Sequence, residues 1–352
     1  LRVTSFLDPW ADAFGSGFAA VLAVLMFSGF LPGYNTGSGG VSKTAVSMWG
    51  TLPEKKIKPI ISQLNDDENA PFKLSYLEKN PASYESELVN ALASGKGPDF
   101  LIITQDMVLK NKDRIFLVPF TSYPERKFKD DFINPAELLI DADAGVIGVP
   151  LLIDPLILYW NKDLFASAGI SRPPQYWDDE FLSGVEELTL INEAKNITQS
   201  AIALGEFTNI RNAKDILSAL ILQAGNPIIK NGTLDVTFGE REQGAPDAAE
   251  ASVKFFNEFS NPGKKVYSWN ESLPVSDSMF VKGALSMYLG YASEVESIKS
   301  RNPHLNFDMA ELPQIKNGKI KATFGRVYSL AILKNSPNKV AAFGAILALT
   351  GK

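Results

Sequence analysis

Apolar and polar positions repeat with two different periods along this chain, and the switches between them mark its elements. Residues 44–50 (T-A-V-S-M-W-G) are β-branched and apolar and end in glycine, which predicts a strand. Pro53 suits the first turn of a following helix, on which Ile57, Ile60, Ile61 and Leu64 recur at helical spacing. Residues 72–77 alternate like a strand. Residues 83–94 predict a helix with Tyr84, Leu88, Ala91 and Leu92 on one face and Gly95 as its stop. Residues 98–104 read as a buried strand ending in Gln105-Asp106. Residues 145–153 are strand-like; within 148–169 a proline ends one apolar strand and a second apolar run follows, carrying Asp154 and the pair Tyr159, Trp160. Asn-Lys-Asp-Leu-Phe (161–165) then opens a helix closed by Gly169. Further helices are predicted at 178–189, 213–224, 246–260 and 338–349, and strands at 201–204, 284–289 and 327–333. Strands alternating with helices indicate parallel α/β layers.

A length of 352 residues suits two domains, and 45% hydrophobic with 21% charged residues suits a globular chain. Formal net charge is −6 with both signs mixed; without a basic stripe, nucleic acid is not an expected partner. The chain has no cysteine, which removes disulfides, thiol chemistry, cysteine metal sites and a lipidated cysteine anchor. His304 is the single histidine and suits a surface or packing role, so a histidine triad or a multi-histidine metal site is not expected. No cofactor is implied.

Residues 13–42 carry no charge, and the apolar run 14–31 approaches the roughly 20 residues that cross a bilayer. Pro32, Gly33 and the Gly/Ser run 36–40 read as a flexible tether. Residues 1–42 are thus expected to be a signal peptide, cleaved or kept as a membrane anchor, with a buried soluble helix as the alternative. The flank is unusual for a signal, since only Arg2 precedes the run, Asp8 and Asp12 lie nearby, and the chain starts with Leu. Residues 1–18, with Pro-Trp-Ala-Asp at 9–12, resemble a loop of the membrane-embedded peptidoglycan polymerases of cell division and elongation. That resemblance implies a fusion or a gene-fragment junction.

Candidate chemistry begins with Asp154. An acid alone in an apolar, strand-like run is expensive to bury, which places it on a cleft. Ligands of open α/β sheets sit at the carboxyl ends of strands. Trp49, Gly50 and Thr51 end the first strand, with core packing as the other reading of Trp49.

Six blocks in order resemble the family 1 extracellular solute-binding proteins, the sugar-binding subunits of ABC importers. They are 44–50, 84–100 (Y-E-S-E-L-V-N-A-L-A-S-G-K-G-P-D-F), 148–165, 215–225 (D-I-L-S-A-L-I-L-Q-A-G), 280–291 (F-V-K-G-A-L-S-M-Y-L-G-Y) and 324–343. The match covers roughly residues 41–352. It implies a two-lobe periplasmic-binding-protein type II α/β fold with hinge strands near 153–157 and 323–328, after the N-terminal hydrophobic helix. Lobe one would be 43–153 plus 326–352, and lobe two 154–325. The family crosses again and adds helices to lobe two, so this chain is expected to be C-terminally truncated.

By the same resemblance Asp106 accepts sugar hydroxyls, or else caps a helix. Asp154 matches a position often acidic in the family and contacts ligand, or else forms a hinge salt bridge. Glu85 contacts ligand or serves the helix dipole. Asn209 lies on a lobe-two loop facing the cleft. Trp269 and Tyr291 offer ring faces to a pyranose, and Met279 packs at the cleft rim. Gly325 and Tyr328 sit on the second hinge. The implied function is capture of a sugar or oligosaccharide and its delivery to ABC permease subunits by hinge closure, without catalysis. The binding protein would be a monomer on the outer face of the bacterial cytoplasmic membrane, anchored or released. A non-sugar solute (peptide, polyamine or anion) and a two-carboxylate glycoside hydrolase are the alternatives.

Overall fold

The computed structural model describes residues 43–141, 143–228, 236–237 and 247–351. The expectations for residues 1–42 lie outside these. Among the described residues no helix is long and apolar enough to cross a membrane.

In chain order the strands are β1 (Thr44–Gly50), β2 (Phe72–Glu78), β3 (Phe100–Thr104), β4 (Ile140–Asp141), β5 (Gly145–Val146), β6 (Val149–Asn161), β7 (Leu190–Ile191), β8 (Ile197–Ile202), β9 (Leu285–Tyr291), β10 (Phe307–Ala310) and β11 (Gly325–Ile332). The helices are α1 (Glu54–Asp66), α2 (Tyr84–Ala93), α3 (Gln105–Asn111), α4 (Glu125–Asp131), α5 (Lys162–Ser167), α6 (Asp179–Leu188), α7 (Ala213–Gln223), α8 (Ala248–Glu258), α9 (Ser276–Val281), α10 (Val295–Arg301) and α11 (Lys339–Leu349). They form two compact units. One runs to Ile153 and resumes at Arg326; the other is Asp154–Gly325. The chain therefore passes between units twice, within β6 and at the start of β11.

In the first unit β1 lies parallel to both β2 and β3, and β11 pairs antiparallel with β3. Alternation in β1 buries Val46 and Met48, and β3 is buried from Phe100 to Ile103. Against this sheet α1 presents Ile57, Ile61 and Leu64, and α2 presents Tyr84 and Leu88. Ile60 falls off that stripe and is 46% exposed. Buried Asp99 is the staple below β3. Its Oδ2 accepts the Ser47 backbone N–H (2.8 Å), while its Oδ1 accepts the Ser336 hydroxyl (2.6 Å) and the Asn338 side-chain amide (3.2 Å). A buried carboxylate is tolerable only when so many donors replace water. These bonds join β1, the start of β3 and the lead-in to α11.

In the second unit β6 pairs antiparallel with β9 and β10, and β8 lies parallel to β9. Its core contains Tyr159, Phe280 and Tyr288, whose ring centroids lie 5.6–6.2 Å apart. Offset and tilted aromatic pairs at such spacing add to plain burial.

Two expectations need correction. The sheets are mixed rather than parallel, because β6 and β11 run against their neighbours as the chain passes between units. Nor does a proline end a strand near 150: β6 is a single strand through Pro150 and Pro155. Proline removes one ladder donor but its φ suits extended backbone. The ladder resumes at once, with the Leu156 N–H donating to the Phe324 carbonyl at 2.8 Å.

Candidate functional site

In the first unit the carboxyl ends of β1, β2 and β3 lie side by side, since Gly50 aligns with Glu78 and Trp49 with Leu101. This brings Trp49, Gly50, Thr51, Glu85 and Asp106 to one end of the unit. Tyr328 of β11 joins them, aligned with Thr104. Buried Tyr84, the first residue of α2, donates its hydroxyl to the carbonyls of Trp49 (3.0 Å) and Ile102 (3.3 Å). Burial pushes this hydroxyl's pKa well above the usual tyrosine range, so it stays a donor. Gly50 is required here because a Cβ would lie 2.8 Å from the Ile102 Cβ.

The side chains at this end differ in availability. Trp49 is half-buried, and the Lys79 ammonium lies 3.8 Å from its ring centroid. Lys79 in turn pairs with Glu87 at 2.8 Å. Hydrogen bonds from Lys79 and Ser83 hold the Glu87 carboxyl below its usual pKa. Glu85 is exposed and pairs with Lys110 of α3 at 3.3 Å. Asp106 is exposed in the first turn of α3 and accepts the Thr104 hydroxyl at 2.5 Å. Its backbone position is helical, so it is not the residue preceding the helix; that is Thr104.

In the second unit the carboxyl ends of β8 and β9 point the same way, and the start of the unit's β6 segment lies beside the end of β9, with Leu156 aligned to Tyr291. Several residues expected to meet ligand are structural here. Asp154 is buried, 6% exposed, and both its oxygens are taken by Ser293: Oδ1 accepts the backbone N–H at 2.9 Å and Oδ2 the hydroxyl at 2.6 Å. Trp269 is 0% exposed and donates its ring N–H to Asn209 Oδ1 at 3.0 Å. Asn209 is likewise buried, its amide donating to the carbonyls of Asn270 (2.9 Å) and Leu273 (3.0 Å). Tyr291 is buried and donates to Asp215 Oδ2 at 2.6 Å, and Met279 lies in the core. An aromatic platform must expose a ring face, and neither Trp269 nor Tyr291 does. Gly325 is half-buried at the start of β11.

Sequence reasoning missed the residues this scaffold presents. The loop after β8 turns at Gly205, whose φ of +96° and a Cβ position 2.6 Å from the Ser260 nitrogen exclude a side chain. It then displays Phe207, 64% exposed, beside half-buried Glu206. Burial and the Glu271 carboxylate push the Glu206 pKa up. Glu271 itself lies on the loop that Asn209 holds by Asn270 and Leu273. The sequence offered only a phenylalanine among polar residues in E-F-T-N; its exposure was not legible there. No group of acidic or histidine side chains among the described residues is arranged to hold a metal ion.

A family model described as bacterial extracellular solute-binding protein matches residues 53–351. Among curated proteins, the chain is 23% identical over 258 residues to a binding protein of Brucella abortus, covering 72% of this chain and 58% of that one. It is 25% identical over 231 residues to the maltodextrin-binding protein of Bacillus subtilis (66% and 51%) and 22% identical over 281 residues to the galactooligosaccharide-binding protein of the same species (76% and 59%). The chain thus spans between half and three-fifths of the length of these relatives. Among solved structures it is similar to an ABC substrate-binding protein of Listeria monocytogenes in complex with cycloalternan (TM-score 0.65, 18% identity, 87% of this chain and 75% of that one). It is also similar to the maltose-maltodextrin binding protein of Alicyclobacillus acidocaldarius (TM-score 0.62, 19% identity, 87% and 77%). At these identities the likeness to solved structures shows a shared fold.

Proposed function

Because the chain belongs to the bacterial extracellular solute-binding protein family, we propose that it captures a sugar or oligosaccharide outside the cell and delivers it to an ABC import permease. The observation that carries this is the family match over 53–351, joined by relatives named for maltodextrin and galactooligosaccharide binding. On the first unit Trp49 supplies an apolar ring, Glu85 and Asp106 supply acceptors for hydroxyls, Tyr328 adds a further ring, and Gly50 and Thr51 offer backbone. On the second unit Phe207, with Glu206 and Glu271, takes the part first expected of Trp269 and Asp154. Those two, with Asn209, Met279 and Tyr291, form the scaffold behind it. Binding couples to movement at the two chain passages, near Asp154 and Gly325, a hinge-type transition. The protein acts as a monomer at the outer face of the cytoplasmic membrane, anchored or released through residues 1–42, and binds without turnover.

Isothermal calorimetry with maltotriose, galactosyl oligosaccharides and cyclic glucans tests the sugar. Heat with at least one supports it; a folded protein silent to all of them sinks it. One observation favours a second solute class. Glu206 and Glu271 repel each other and have no hydrogen-bond or ion-pair partner among the described residues, an environment that suits a cationic group. An amino sugar and a polyamine therefore belong in the same titration. Release of shortened sugars on incubation with an oligosaccharide would replace binding by hydrolysis.

A further inference from the structure

The cation on Trp49 has no place in the sugar-binding scheme above, and its surroundings are specific. Lys79 follows the end of β2. Its backbone N–H donates to the Gly50 carbonyl at 2.7 Å, which fixes its Cα beside the end of β1. From there the side chain lies back over the indole, with Nζ 3.8 Å from the ring centroid. The Glu87 carboxylate, 2.8 Å away, holds the ammonium in place, and the Ser83 hydroxyl donates to that same carboxylate at 2.6 Å. The Lys79 side chain is only 14% exposed. A lysine side chain that could be hydrated at little cost is instead largely buried with its cation against a ring, and cation–π attraction strengthens as water is excluded.

We propose that Lys79 is a positioning residue: clamped between Glu87 and the indole, it fixes the Trp49 ring in one rotamer and closes one ring face to solvent. The clamp belongs to the protein without ligand. Its consequence for solute rests on the sugar-binding proposal: a ring already immobilised loses no rotamer freedom on binding, and solute can use only the part of the indole that Lys79 leaves. A methyl-bearing or aliphatic replacement would fill the space without holding the ring. Arginine would preserve the cation and its stacking.

The test uses the full chain with Lys79→Met, Lys79→Arg and Trp49→Phe, alone and combined. The Trp49 fluorescence is taken as the difference between each lysine variant and its Trp49→Phe partner. Lys79→Met should shift this signal to longer wavelength and raise its acrylamide quenching, and Lys79→Arg should return both toward the wild type. Unchanged quenching in Lys79→Met overturns the clamp. Thermal unfolding run alongside separates this from general loosening, because a merely structural lysine would lower stability without moving the Trp49 signal. For a sugar that binds the wild type, Lys79→Met should weaken affinity about three- to tenfold, the cost of ordering one large side chain, with Lys79→Arg rescuing it. Tighter binding by Lys79→Met would show that Lys79 competes with solute for the ring, and overturns a positioning role. If no sugar binds the wild type, the sugar-binding proposal fails and the quenching series alone decides the clamp.

Discussion

Asp154 gives the sharpest test of what holds the second unit together. Its carboxylate is buried and accepts two hydrogen bonds from Ser293, at 2.9 and 2.6 Å. Bonds to an ionised acceptor are each worth about 1.5–3 kcal/mol. Ser293 is exposed, so in Asp154→Ala its freed N–H and hydroxyl return to water and part of that is recovered. The expected loss is about 2–4 kcal/mol, which for a unit of this size lowers its melting temperature by roughly 5–15 °C. Asp154→Asn should cost only about 1 kcal/mol, because the amide oxygen still accepts the Ser293 N–H while the amide nitrogen donates to a rotated hydroxyl. Circular dichroism melts and urea titration measure both. Sugar affinity, measured on the same samples, should be close to that of the wild type in Asp154→Asn. Stability of Asp154→Ala within about 0.5 kcal/mol of the wild type would refute a structural role for the Asp154–Ser293 bonds. So would a more than tenfold affinity loss in Asp154→Asn at unchanged stability, which would return Asp154 to direct ligand contact.

Trp269→Phe removes the ring N–H donated to Asn209 and leaves space in the core, so it should destabilise by about 2–4 kcal/mol in denaturant titration. Gly50→Ala places a Cβ 2.8 Å from the Ile102 Cβ and should cost about 1–3 kcal/mol by the same measurement. Phe207→Ala, at an exposed position, should leave stability within about 0.5 kcal/mol while weakening sugar binding in calorimetry. The Glu87 pKa is depressed in the folded state, so its pairing contributes above the unfolded carboxylate pKa and is lost as pH falls through the lower folded value. Carboxyl NMR should find Glu87 titrating below an unstructured glutamate, and Lys79→Met should raise it again.

Periodicity made much of the secondary structure legible. The strand at 44–50 was read with both its ends from its β-branched, apolar run closing in glycine, and the helices beginning at 213 and 339 were found within a residue or so from apolar runs bounded by Gly225 and by Ser336-Pro337. Gly95, Gly169 and Gly225 marked helix ends and all adopt positive φ. What local pattern lacked was missed. Helix α3 is short and follows β3 without a turn, and α10 and β10 are brief elements whose form depends on their neighbours.

The sequence by itself determined the longer strands and helices, the absence of thiol chemistry, and the family resemblance, since each is carried by residue type and spacing along the chain. Only the tertiary structure decided strand direction, the continuity of β6 through two prolines, and which polar or aromatic side chains face solvent. Trp269 and Phe207 show why. Both are aromatics in polar loops, but one is sealed in the core, where its ring N–H donates to Asn209, 60 residues away in the chain, and the other, which has no polar atom to satisfy, lies 64% exposed. That choice depends on partners brought together from distant parts of the chain, and no local pattern encodes it.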